Sequence, residues 1–222
     1  MAPTKGFVPI LLCVSGALGG CDQLRPFEQV CEKRLGPGNV SVVAARSDLR
    51  NDFTQTSAAL NARGAQKAGQ LVLGITEANL KSSVALGGAG VVKPFSGRYC
   101  TRPDVTVTLA YQPLTVYIAK EQAPGSCAHD LTLSHEMKHV RSYERFIGEL
   151  AGQVEIEIKA VIGGAIHYFA STSEGERELS AKVNARVKAV VDAGMQSAQQ
   201  HQSAIDSPEE YGRLDLMQSK CG

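Results

Sequence analysis

The sequence carries no excess of either charge. Twenty-three Lys and Arg face 22 Asp and Glu, a net charge of +1 with His neutral. No basic patch points to nucleic acid, and no acidic run forms a solvating tail. Tryptophan is absent and aromatics are sparse. No CxxC pair occurs, so nothing supports a zinc–thiolate site. There is no internal repeat and no low-complexity tract. The one long apolar run, from Phe7 to Leu18, is too short to span a bilayer comfortably. What is present reads as globular: 43% hydrophobic and 20% charged residues over 222 positions, enough for one domain with its own core.

The apolar run reads as a processing segment. Lys5 supplies a positive start, and the run ends in Leu18-Gly19-Gly20-Cys21. An apolar residue, two small ones and a cysteine resemble a bacterial lipobox, with Cys21 as the lipidated first residue of the mature chain. Residues 1–20 are then a lipoprotein-type signal peptide, and the mature protein is exported. It is expected in the cell envelope, lipid-anchored and facing the periplasm. Asp22 resembles an inner-membrane retention signal in some bacteria.

Four cysteines follow Cys21: Cys31, Cys100, Cys127 and Cys221. In an oxidising compartment an even number suggests two disulfides. A hairpin over 104–119, turning at Gln112-Pro113, would bring Cys100 near Cys127. That pairing, Cys100–Cys127, leaves Cys31–Cys221 to tie the two ends together.

The rest of the chain divides into an N-terminal segment, 21–69, and a core, 70–222. Residues 22–37 read as an exposed segment, Val40–Val43 as a strand and 47–69 as a loosely specified helix. Leu71–Thr76 reads as a strand and 77–86 as a short helix. Helical periodicity covers 130–170. Ser173 with Glu176 matches a capping box opening the next helix, which runs to about Ala204. The expected fold is α+β: a small antiparallel sheet followed by a long antiparallel helical hairpin.

Residues 135–139 read His-Glu-Met-Lys-His. Positions i and i+4 share a helix face, so both imidazoles can reach one ion. Glu136 is one residue round, near enough to take a proton from a water on that ion. Lys138 and Arg141 sit where zinc proteases mostly carry uncharged residues, which suggests a helix solvated on one side. Two surface histidines straddling a glutamate are the bland alternative.

A catalytic zinc normally takes three protein ligands. If the two long helices fold back near Thr172, His135 faces about residue 209 and His139 about residue 205. That points to Asp206 or Glu210, with Glu209, His201, Glu144 and Glu155 behind them. Each has a plainer role. Ser207-Pro208-Glu209-Glu210 is a good helix start, so Glu210 would serve as a cap, and Asp206 would orient the turn. Glu144 lies roughly 140° round the helix from His139. Tyr211 and Tyr143 could each donate to an oxyanion, or simply pack.

The residues just described resemble a family of bacterial secreted or membrane-associated proteins regarded as zinc-dependent proteases. The likeness runs from about Leu71 to Gly212. It rests on Leu73-Gly74-Ile75-Thr76, Cys100 before a strand, the His135–His139 motif and Ile205–Gly212. The family closes on a Tyr-Asp-x-x-Thr-x-His-Gly element. Asp206 and Gly212 fall on its matching positions, Glu209 falls on the Thr, and Tyr211 falls on the His. The resemblance implies a zincin-like protease fold.

The expectation is therefore a zinc metallopeptidase acting on a peptide or protein substrate, with no nucleic-acid partner. His135 and His139 bind zinc with Asp206 or Glu210, and Glu136 is general base. A non-catalytic envelope lipoprotein with a structural zinc, and a zinc-dependent cell-wall amidase, are the alternatives.

Overall fold

The computed structural model describes residues 25–63 and 71–221. The proposed signal peptide, Cys21 and Asp22 lie outside the described residues, as does the end of the 47–69 segment.

The longest strand organises the sheet. β6 spans Asp104–Ile118. Val105, Val107, Leu109, Leu114, Val116 and Ile118 along it are buried, and β-branched and aliphatic residues suit a covered sheet face. β1 (Val40–Ala44) pairs parallel with the first part of β6 and β2 (Leu49–Asp52) parallel with its second part. β3 (Gly74–Gly87) runs antiparallel along the other side. The sheet is mixed rather than purely antiparallel.

The expected turn at Gln112-Pro113 does not form; the chain runs straight through it. Gln112 and Pro113 together oppose Asn79, where the register with β3 slips by one residue. They also fall between the stretch paired with β1 and the stretch paired with β2. Proline has no N–H to give a ladder, so this gap accommodates it.

That single strand corrects the disulfides. Fifteen residues of strand reach roughly 45 Å, which sets Cys100 and Cys127 at opposite ends. Neither expected pairing, Cys100–Cys127 or Cys31–Cys221, is present. Cys31 is bonded to Cys100, and Cys127 to Cys221. Two disulfides mark a chain that folds in an oxidising compartment.

Other expectations also change. Residues 77–86 are strand, because Ala78, Leu80, Val84 and Leu86 alternate and pack on the core. The 47–69 stretch begins with β2 and then forms a short helix at Ser57–Arg63, whose Leu60 is fully buried. Residues 22–37, expected to be exposed, contain helix α1 (Phe27–Arg34), which buries Phe27 and Cys31 against Cys100. We number the Ser57–Arg63 helix α2.

A second, three-stranded antiparallel sheet joins β4 (Gly90–Val92), β5 (Tyr99–Thr101) and β7 (His167–Phe169). β7 interrupts what the periodicity suggests is helix to residue 170.

α3 spans Cys127–Ile162 and α4 spans Thr172–Ile205. The start of α4 is capped by Ser171, whose hydroxyl accepts the Glu174 N–H, two residues before the expected box. Contacts step in opposite directions along the two helices: Glu157 pairs with Arg186, and His139 with Gln202. They therefore run antiparallel. Gly194 marks their close approach, since a Cβ there would lie 2.7 Å from Leu150. One continuous apolar cluster joins the sheet face, Leu150, Val154 and Ile158 of α3, and Val183 and Val187 of α4. α5 (Pro208–Gln218) follows, with Ser207 accepting the Glu210 N–H and Pro208 at the first position. Among the described residues no helix is long and apolar enough to cross a membrane.

Candidate metal centre

The His-Glu-Met-Lys-His segment lies in the first half of α3, where the helix is covered by the sheet on one side and by the α4–α5 junction on the other. His135, Glu136 and His139 are all buried, with at most 7% of each exposed. Surface histidines would not be, so the bland reading of the motif fails on burial.

Three donor atoms converge there. His135 Nε2 lies 3.2 Å and His139 Nε2 3.1 Å from Asp206 Oδ1. The two Nε2 atoms are 3.4 Å apart. His135, His139 and Asp206 form a group able to hold one metal ion. α4 brings Asp206 to this point as its C-terminal capping residue. The contact is set about one turn from the count along the sequence: His139 meets Gln202, and both histidines share Asp206.

The surroundings orient each group. Gln202 Oε1 lies 2.6 Å from His139 Nδ1. With the Nδ1–H donated to Gln202, the Nε2 lone pair of His139 is free to face the centre. Tyr211 donates its hydroxyl to Asp206 Oδ1 at 3.1 Å, and its ring lies 5.9 Å from that of His135. Without an ion, both Nε2 atoms would need protons aimed at the oxygen that already accepts from Tyr211. His139, donating at both nitrogens, would then be a buried imidazolium.

Burial alone would raise the Asp206 carboxyl, but hydrogen bonds from His135, His139 and Tyr211 outweigh it and hold the group well below the usual carboxylate range. Burial likewise opposes the charged form of His139, while Asp206 and Glu136 raise its affinity for a proton. An anionic oxygen facing two imidazole nitrogens is the charge pattern a divalent cation completes.

Glu136 lies against β3 and, like His135, borders the same cleft. Burial pushes its carboxyl up, against the pull of His139 and the Thr76 hydroxyl. Thr76 donates to its Oε2 at 2.8 Å. At Gly74 an added Cβ would lie 2.6 Å from Glu136 Oε1 and 2.7 Å from Thr132 Cγ2. Glycine at that position lets β3 lie directly on α3 and fixes the carboxyl between them.

Glu210, the other expected third ligand, is occupied elsewhere. Arg213 holds it with two hydrogen bonds and Lys138 with an ion pair, so its carboxyl lies well below the usual range. Its Oε1 lies 3.5 Å from the Nδ1 of His135, the nitrogen facing away from Asp206. Lys138 is thus the clamp on Glu210 rather than a merely solvated residue. Glu209, His201 and Glu144 are exposed, and Glu155 is paired with Lys159. Tyr143 packs edge-on against Tyr111.

The centre borders a cleft of about 400 Å³. Thr132, His135 and Glu136 of α3 form its floor. The extended segment 71–74 forms one wall, and Tyr211, Leu214, Asp215 and Gln218 of α5 form the other. The disulfide from Cys127 to Cys221 ties the far end of α5 to the start of α3. The sequence does not single out Gln202, and it links neither Thr76 to Glu136 nor Tyr211 to Asp206. The only sequence signal for Gln202 is its i, i−4 spacing from Asp206.

Compared with family models, curated proteins and solved structures, the chain finds no match.

Proposed function

We propose that the protein is an exported zinc metallopeptidase, in which His135, His139 and Asp206 hold the metal and Glu136 is the general base. One observation carries the reading: two imidazole nitrogens and one carboxylate oxygen, 3.1–3.4 Å apart, converge beside a buried glutamate at the floor of a cleft. Bonds of 2.0–2.1 Å in a tetrahedron place ligand atoms about 3.3 Å apart. The donor set fits zinc, and three protein ligands leave one position open, the pattern of catalytic rather than structural sites.

Bound there, zinc would supply a water acidic enough to ionise near neutral pH and a Lewis acid for a carbonyl oxygen. The residues of the chain do the rest. Glu136, its carboxyl raised by burial, accepts the proton of the attacking water and can pass it to the leaving amine. Thr76 holds that carboxyl in one orientation. Gln202 and Tyr211 fix the rotamers of His139 and Asp206. The cleft walls take the peptide, and Thr132, His135 and Glu136 form the floor beneath it.

The same reading includes a lipid anchor at Cys21 and a periplasm-facing location in the cell envelope. The two disulfides support export.

Metal removal tests the function. Purified protein should cleave members of a mixed peptide library. Chelation by 1,10-phenanthroline should abolish cleavage, and zinc, but not magnesium, should restore it. Cleavage unchanged by chelation, or no cleavage by the zinc-loaded protein, would overturn the proposal.

A further inference from the structure

We propose that Asp215 makes this cleft selective for a cationic side chain, so that the substrate presents lysine or arginine to the wall formed by α5. The proposal takes its reaction from the peptidase reading, but the binding preference itself needs no turnover.

Helical spacing turns Tyr211, Leu214, Asp215 and Gln218 onto the cleft, at i, i+3, i+4 and i+7. The other carboxylates near it are committed. Glu136 is bonded to Thr76, and Asp206 faces the two histidines and Tyr211. Glu210 is held by Arg213 and Lys138, and neither of those cations is among the lining residues. Asp215 is exposed, and among the described residues no side chain pairs with its carboxylate. It is the uncommitted negative charge on the lining.

The surface around it is apolar. Leu71, 66% exposed, begins the facing wall with Val72 and Leu73, and Leu214 lies beside Asp215. Lysine and arginine carry an apolar stem below a charged head. An apolar flank ending in a free carboxylate at the rim is the complement of that shape. A glutamate side chain would meet like charge there, and a leucine would use the flank but leave the carboxylate unneutralised.

The test uses zinc-loaded Glu136→Gln protein as a non-cleaving trap. Fluorescent alanine-based nonapeptides carry a single lysine, leucine or glutamate at each position in turn, and binding is read by anisotropy. At one position lysine should bind about fivefold more tightly than leucine, a contrast that shrinks with salt. Asp215→Asn in the trap should bring the two within about twofold, and Asp215→Lys should make glutamate the preferred residue. An order of affinities unchanged by both substitutions, or no measurable binding of any peptide, would overturn the proposal. Incubating the unmutated protein with the same peptides separates the two readings. A lysine preference without cleavage removes the peptidase and keeps the selectivity, whereas cleavage indifferent to lysine does the reverse.

Discussion

Replacing Glu136 by Gln should lower peptide hydrolysis by about 10²–10⁴-fold while zinc stays bound. The substitution keeps the shape of the side chain. The Thr76 hydroxyl can still donate to the amide oxygen as it does to Oε2 at 2.8 Å. It removes a carboxylate from a site only 4% exposed, where a charge is costly to hold. The variant should therefore melt no lower than the unmutated protein, apart from about 1–3 kcal/mol if the new N–H₂ finds no acceptor. The loss should fall on kcat rather than on zinc content, because Glu136 is outside the group of converging donors. A variant that hydrolyses peptides at the original rate would show that another group takes the proton.

The second large effect concerns the third ligand. Asp206→Asn should weaken zinc binding by more than about 100-fold, a loss beyond that expected for a residue that only supports a ligand. Oδ1 of Asp206 is the oxygen both histidines face, and an amide oxygen lacks its charge. Glu210→Gln should change zinc affinity only a few-fold, since Glu210 is engaged by Lys138 and Arg213. Competition with a fluorescent zinc chelator measures both. Were Glu210→Gln the variant that loses the ion, the ligand assignment would have to be exchanged. The unmutated protein should also gain thermal stability from zinc, by about 2.7 kcal/mol at a hundred times the dissociation constant.

The α+β class and the helix carrying His135, Glu136 and His139 were legible because both depend on local pattern. Period-two alternation in β6 and i, i+4 spacing in α3 are written in neighbouring residues. Asp206 was reachable by counting along two helices, within about a turn. The failures share one origin. Pro113 looks like a turn residue, yet it sits where strand partners change and no N–H is needed. A turn there would bring Cys100 to Cys127, whereas the continuous strand leaves Cys100 to Cys31 and Cys127 to Cys221. Long-range pairing decides such a case, and a window of sequence does not contain it. Residues 77–86 were misread for a related reason: the serines among Leu80, Val84 and Leu86 obscure the alternation until β6 supplies the other side of the ladder. The roles of Gln202 and Thr76 are not legible in the sequence because each matters only through the partner that folding brings to it.

The lipid anchor, the peptidase activity and the selectivity at Asp215 all stand or fall on separate experiments. The metal centre comes before the peptidase activity. Its most direct measurement is the zinc content of the purified mature protein by native mass spectrometry, beside His139→Ala. The former should carry one zinc per chain and the latter none. A chain that remains metal-free when supplied with zinc, or that binds equally well without His139, would contradict that assignment.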